Sequence, residues 1–419
     1  MTFMQSDNFN YIQTKIAVIG GGAAGMIAAG TAALYGADVT IFESTDRLGK
    51  KLAITGKGRC NVTNNCTRDE FLENVTKNPR FLYTALSAFS TEDTMNLFES
   101  LGVELKTERG RRVFPKSEKA IEIVNALKNY SSAAKVVHKK VVKITKSDDK
   151  FLLNAGSKEY LFDKVIIATG GKSYPLTGSD GSGYLLAMNL GHSITDLIPS
   201  LIPLESNSPL CKSMQGLSLK NVKISIKDEA ERVLYTDFGE MMFTHFGVTG
   251  PVILSASAHI RNLNIAKLTL SIDLKPALDE KTLDQRLLSD FSKKSNKDFV
   301  NSLGDLLPTK MIEPFIALSG IDSRKKVNSI TKEERKQILS TLKSFDIPLD
   351  GLRPIEEAIV TSGGVEVKEI SPKTMESKLC SGLYFCGEVI DLDAYTGGYN
   401  LQIAFSTGYL AGKSAAENY

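Results

Sequence analysis

The chain has no tryptophan, five cysteines and four histidines in 419 residues. The cysteines, Cys60, Cys66, Cys211, Cys380 and Cys386, are odd in number and form no C-x-x-C pair. That pattern argues against a disulfide framework, a dithiol redox centre and a cysteine zinc site. His138, His192, His245 and His259 are scattered, so no metal site is expected. The absence of Trp says only that no tryptophan anchors a binding face. No apolar run reaches the roughly 18 residues that a membrane span needs. The opening MTFMQSDNFNYIQTK has neither the basic start nor the apolar stretch of a signal peptide. A cytoplasmic protein is therefore expected. An excess of one charge is missing too. Lys and Arg number 51 against 48 Asp and Glu, a formal net charge of +3, and no basic tract occurs. Neither a nucleic-acid partner nor a membrane is expected on that ground, and oligomeric state is left open.

What is present is ordinary in bulk and specific in detail. Apolar residues make up 42% and charged residues 24%, as in soluble globular proteins. The length exceeds one hydrophobic core, so two or three domains are expected. The segment Lys15–Ser44 reads as strand, glycine turn, helix and second strand ending in an acid. Gly20, Gly22 and Gly25 form G-x-G-x-x-G, with Ala23 and Ala24 in the same turn. The first glycine permits the tight turn. The second lets backbone N–H groups approach a pyrophosphate, and the third lets the helix pack close to the sheet. The helix N-terminus adds partial positive charge. Glu43 stands eighteen positions past Gly25, where a carboxylate can accept both ribose hydroxyls.

Further along, Phe71–Phe89 and Ser90–Leu101 read as helices, and Lys135–Thr145 reads as β-prone. After His192 the text changes. Alternating segments such as Asn221–Ile226 and Leu268–Asp273 suit half-buried strands. Pro276–Ile347 turns helical. Its clearest helix is Ile330–Phe345, with Thr331 as cap and Glu334 three residues on. Near Val360 the glycine-turn flavour returns. The expected architecture is α/β, with a Rossmann-like domain formed by both chain ends, 1–192 and 358–419. A β-rich, barrel-like domain (193–275 and 346–357) is inserted, carrying a helical subdomain (276–345).

Three later features favour FAD over NAD as the resident dinucleotide. VIIATGG, with Ala168, Thr169 and Gly170, is a strand ending in a backbone-accessible turn. GLYFCGEVID places Gly387 and Glu388 where a carboxylate can meet a ribityl chain. GGYNL, with Gly398, Tyr399, Asn400 and Leu401, opens the last helix, whose N–H groups would stabilise negative charge on a reduced flavin. No second strand–G-x-G-x-x-G–helix unit occurs, so NAD(P)H would dock only transiently as a donor.

The chain resembles the bacterial three-domain flavoproteins described as NAD(P)/FAD-dependent oxidoreductases, the aminoacetone oxidase-like family that includes bile-acid Δ4,6-reductases. The resemblance is carried by IAVIGGGAAGMIAA, KKLAITGKGRCNVTN, RRVFPKSEKA, VIIATGGKSYPLTGSDGSGY, FTHFGVTGPVIL, TSGGVEVKEISPKTMESK and GLYFCGEVIDLDAYTGGYNLQIAFSTGYLAG. It implies a FAD domain split across the chain, a β-barrel-like insert and a helical cap. It also implies that Gly56–Asn64, including Gly58, Arg59, Cys60 and Asn61, approaches the flavin. Lys51 or Arg59 would balance phosphate or flavin charge. Cys60, lacking a partner thiol, reads as a packing or flavin-contact residue. Lys57, Ala394 and Tyr395 depart from the commoner family text.

The expected activity is flavin hydride transfer, with NAD(P)H-driven reduction of a small or medium apolar enone-type compound. A general acid must then protonate the neighbouring atom, and His245 and Tyr395 are the candidates. The alternatives are an oxidase of a small amine such as aminoacetone, and, of another class, a tRNA-associated or sensor flavoprotein.

Overall fold

The computed structural model describes residues 13–417. Most of the N-terminal segment read above for a signal peptide lies outside the described residues. Two compact units divide the chain: Met1–Ile198 with Val360–Tyr419, and Pro199–Ile359.

The first unit is built on a five-stranded sheet. Its order is Leu383–Phe385, Lys164–Ile167, Lys15–Ile19, Asp38–Phe42 and Lys135–Val137. All four ladders are parallel. Ile16–Ile19 and Val165–Ile167 are buried runs without polar alternation, as a sheet covered on both faces requires. The helices Ala23–Leu34 and Tyr399–Ala416 pack against each other. Neighbours on the sheet thus come from opposite chain ends: residues 383–385 extend a sheet begun by residues 15–19. The strand order reverses direction at Lys15–Ile19, which puts a crevice at the carboxyl ends of that strand and Lys164–Ile167.

One element differs from the sequence reading. Phe71–Phe89 is not one helix. It breaks into Arg68–Glu73, a short strand Val75–Lys77, a 3₁₀ turn Pro79–Leu82 and Tyr83–Ala88. Asn78 takes a left-handed conformation at φ 54°, and Pro79 follows it, so helical hydrogen bonding cannot run through. The β-prone stretch Lys135–Thr145 forms strands, as read from the sequence. Lys135–Val137 joins the parallel sheet, and Val141–Ser147 joins an antiparallel three-stranded sheet. Ser90 caps Thr91–Ser100 with a full capping box to Asp93.

The second unit holds a seven-stranded antiparallel sheet and the helices Glu280–Lys293, Thr309–Ser319 and Lys332–Lys343. Its edge strands, Phe345–Pro348 and Gly351–Leu352, follow one another in the chain, and no ladder joins them among the described residues. Val233–Thr244 alternates in exposure along one edge of the core, the period-two pattern of a half-buried strand. Thr331 and Glu334 form the capping box read from sequence. Arg335 clamps Asp284 at 2.7 Å and so ties the last helix to Glu280–Lys293. Phe243, Phe299, Phe315 and Phe345 are wholly buried in a core of their own. Among the described residues no helix is long and apolar enough to cross a membrane.

Candidate functional site

The glycine turn sits where the sheet reverses order. A Cβ on Gly25 would lie 1.9 Å from the Gly20 carbonyl oxygen, so only glycine fits there. A Cβ on Gly22 would meet nothing within 4 Å. The turn is therefore packed from below and open above, and Gly22 is the N-cap of a helix with no side-chain cap. Ala23 is half-buried and Ala24 buried at that helix start. Ala24 meets Gly387 so closely that a Cβ on Gly387 would be 2.7 Å away. The carbonyl of Ala168 lies under Gly20 in the same way, and a Cβ on Gly20 would come within 2.5 Å of its oxygen.

Glu43 is 7% exposed and closes one side. Its Oε2 accepts from the Gly21 N–H at 2.9 Å, and its Oε1 accepts from the Thr45 N–H at 2.7 Å. The carboxylate is thus held in one orientation by backbone donors, each oxygen keeping a lone pair. On the other side, Lys51 Nζ donates to Glu388 Oε2 and to Ser173 Oγ, both at 2.7 Å. Glu388 Oε1 accepts from Ser173 Oγ at 3.0 Å and from the Thr361 N–H at 2.9 Å. Lys51 and Glu388, predicted separately, are one half-buried ion pair.

The loop after Gly56 and the last helix are also brought together. A Cβ on Gly398 would be 2.4 Å from the Thr63 backbone. Thr63 Oγ1 donates to Gln402 Oε1 at 2.6 Å. Gln402 is fully buried and donates onward to the Ser90 carbonyl and Ser406 Oγ, each at 3.0 Å. Asn64 Nδ2 donates to the carbonyls of Gly110 and Gly397, at 3.0 and 3.1 Å. Asn400 does not reach outward. Its amide donates to the Ala394 carbonyl at 2.7 Å and accepts the Ala394 N–H at 3.0 Å. Tyr399 turns inward onto Phe71, 5.2 Å between ring centres, and burial pushes its phenol up to about 12. Leu401 is half-buried beside the core.

Arg59 meets carboxylates of its own unit: Glu108 at 2.6 Å and Glu118 at 3.1 Å, with its guanidinium over the Phe114 ring. Cys60 is wholly buried, and desolvation pushes its thiol up to about 12, which keeps it protonated and unreactive. Gly58 faces open space, and Gly170 at φ +74 turns the chain after the Lys164–Ile167 strand. Tyr395 is half-buried, its N–H donating to the Asn74 carbonyl at 3.0 Å. His245 belongs to the second unit. It is exposed at the turn between Val233–Thr244 and Gly247–Thr249, edge-on to Phe246.

Among the described residues, several buried polar atoms have no protein partner: Asn61 Oδ1, Asn64 Oδ1, Thr169 Oγ1, Tyr184 OH and Ser362 Oγ. An unsatisfied buried polar atom costs about 1–3 kcal/mol, a cost that a polar ligand partner relieves. With the open face of Gly22 and the oriented Glu43, these atoms fit a dinucleotide.

The Rossmann-domain model of the HI0933-like proteins matches residues 14–414. The chain belongs to the HI0933-like family. It is a FAD-dependent oxidoreductase. It is 31% identical over 414 residues to the 3-dehydro-bile acid Δ(4,6)-reductase of Clostridium scindens, spanning 96% of this chain and 99% of that protein. It is also 31% identical over 404 residues to the ribosomal RNA dihydrouridine synthase of Haemophilus influenzae, spanning 94% and 96%. The fold is shared with a 3-ketosteroid-Δ4-(5α)-dehydrogenase from Rhodococcus jostii RHA1, at a TM-score of 0.52 and 15% identity over 99% of both chains.

Of the tertiary partners, Ser173 and Tyr184 stood inside VIIATGGKSYPLTGSDGSGY, and Thr361 and Ser362 inside TSGGVEVKEISPKTMESK, but none was singled out as a site residue. Thr63, Asn64 and Gln402 stood inside the GRCNVTN and GGYNLQ blocks, but nothing local says that these blocks bond to each other.

Proposed function

We propose that this flavoprotein saturates a carbon–carbon double bond conjugated to a carbonyl group. The observation that carries this reading is the chemistry common to the two relatives. A 3-oxo steroid with Δ4,6 unsaturation and the uracil ring that becomes dihydrouracil are both conjugated carbonyl systems. In the uracil ring and at a steroid Δ4 bond, a hydride adds at the carbon β to the carbonyl and a proton at the α carbon. At Δ6 the hydride adds at the vinylogous δ carbon and the proton at the γ carbon, so each double bond reduced gains two electrons and two hydrogens.

FAD, when bound, supplies a two-electron hydride carrier. The residues that would hold it are the Gly20–Gly25 turn, Glu43, the Gly58–Asn61 loop, Ala168–Gly170, Gly387, Glu388 and the Gly398–Leu401 helix start. Glu43 orients a ribose. The helix start at Gly22 favours a pyrophosphate through its N–H groups and dipole. The Lys51–Glu388 pair keeps both charges satisfied where the site closes. Tyr395 is the proposed proton donor within this unit. NAD(P)H is the proposed source of electrons. The substrate class expected from the sequence is an apolar enone. Uridine within RNA is a second reading, favoured by the relationship to the ribosomal RNA enzyme.

Anaerobic stopped-flow mixing tests the proposal. Loss of the flavin absorbance with NADH or NADPH, followed by reoxidation with a Δ4-3-oxo steroid or a uridine-containing RNA, is the expected result. Rapid bleaching by aminoacetone, with hydrogen peroxide formed in air, would instead establish the amine oxidase. No turnover with any donor would leave a flavin sensor.

A further inference from the structure

The sequence shows Lys and Arg dispersed among acids. In the first unit the fold gathers some of them. Leu105–Glu108 and Arg112–Pro115 form an antiparallel pair, and its turn is Arg109-Gly110-Arg111. Arg59 and Arg112 both approach the Phe114 ring, at 4.3 and 5.8 Å, which sets the Thr55–Gly58 turn beside this tip. The nearby carboxylates are already neutralised. Glu108 and Glu118 pair with Arg59 and Lys106, and Glu70 pairs with Arg111.

Three cations are left over. Lys57 and Arg109 are exposed and carry no ion pair among the described residues. Among the described residues Arg112 donates only its Nε–H, to the Arg109 carbonyl at 3.1 Å. The surplus of three charges at this one tip equals the formal net charge of the whole chain, +3. Its position matters as much as its charge. The Asn64 side chain bonds the Gly110 carbonyl at the tip and the Gly397 carbonyl ahead of the last helix. One asparagine amide therefore separates the basic tip from the helix start assigned to the flavin. A substrate reaching that helix start would pass a rim of unneutralised guanidinium and ammonium groups.

We propose that Lys57, Arg109 and Arg112 form a phosphate-binding rim that holds the backbone of an RNA substrate, a reading that rests on the flavin site proposed above. An apolar enone has no use for such a rim. Two separate backbone turns contribute the cations, which suits successive phosphates of a strand. Arginine adds bidentate contact to each phosphate, and such contacts position a nucleic acid without reading its bases.

The experiment uses the full-length, FAD-loaded protein and a fluorescein-labelled transcript of a uridine-rich stem-loop, followed by anisotropy between about 50 and 200 mM KCl. The expected result is salt-dependent binding. In the Lys57→Ala/Arg109→Ala/Arg112→Ala variant, affinity at the lowest salt falls at least about tenfold. The slope of log K against log salt shrinks by about 2–3, one phosphate contact per cation. The charge-preserving variant Lys57→Arg/Arg109→Lys/Arg112→Lys keeps the slope, which separates charge from misfolding. Absence of binding by the wild type at about 50 mM KCl, or an unchanged slope in the alanine variant, overturns the proposal. So does a variant whose only defect is a raised KM for NADPH, because the rim would then serve a dinucleotide phosphate. A colourless protein that still binds RNA with the expected slope would sink the flavin reading and leave the rim standing.

Discussion

Two glycine turns open helices in the nucleotide unit, Gly20–Gly25 before Ala23–Leu34 and Gly397–Gly398 before Tyr399–Ala416. In sequence they have the same texture. In the structure they differ in what stands opposite them. The first leaves open space over Gly22, while the second presses Gly398 onto the Thr63 backbone. A glycine turn thus has two uses: keeping protein away from a ligand, and letting two protein segments touch. The neighbouring side chains follow the same division. Glu43 is held by backbone N–H groups at the edge of the open turn. Asn400 and Gln402 are consumed by bonds inside the protein.

The comparison can be broken by substitution. The largest effect is expected from Gly25→Val. Its Cβ would collide with a backbone oxygen that cannot yield, at a cost of about 4–5 kcal/mol or more. Little soluble, yellow protein should be recovered, as read by the ratio of flavin to protein absorbance. Gly398→Ala comes next. The new methyl meets backbone at 2.4 Å, and φ is +98°, so a loss of about 3 kcal/mol is expected in urea unfolding. Gly22→Ala should behave in the opposite way. Stability stays within about 1 kcal/mol, because no protein atom is displaced. FAD affinity falls at least about tenfold, because the methyl enters the space for the pyrophosphate. Normal FAD affinity in that variant would remove the distinction between the two turns.

Gln402→Leu sharpens the packed side. It strands Thr63 Oγ1, while the Ser90 carbonyl keeps the Thr94 N–H and hydroxyl, and should cost about 1–3 kcal/mol with bound FAD retained. The smallest effect is a pH dependence away from both turns. His192 is buried, with Ser377 Oγ 2.9 Å from its Nε2 and Glu369 3.2 Å from its Nδ1. Burial outweighs the Glu369 charge and holds the imidazole below its ordinary range. The unfolded chain therefore binds the proton more readily. The stability from neutral His192 is full above its unfolded pKa of about 6.5 and is lost as pH falls toward the folded value. Thermal melts at pH 7.5 and 5.5 should show a smaller drop for His192→Gln than for the wild type.

The unit division shows what local pattern could reach. Lys15–Ile19, the glycine turn and Glu43 were legible because one contiguous stretch sets strand, turn and helix start. The Thr331–Glu334 box was legible for the same reason. Phe71–Phe89 was misread, because its apolar spacing suggested a helix and the left-handed Asn78 outweighed it. Lys51 and Glu388 were each named, but their pairing across 337 positions was invisible.

By itself, the sequence determined the strand–glycine turn–helix, the acid that ends the second strand and the membership in a flavoprotein family, since these depend on backbone geometry within a few dozen residues. Only the tertiary structure decided which glycine turn stays open, which asparagine is spent inward, and that Arg59 and Arg112 meet over the Phe114 ring. Those outcomes depend on contacts such as Thr63 with Gln402, 339 positions apart, whose partners no local periodicity can pair.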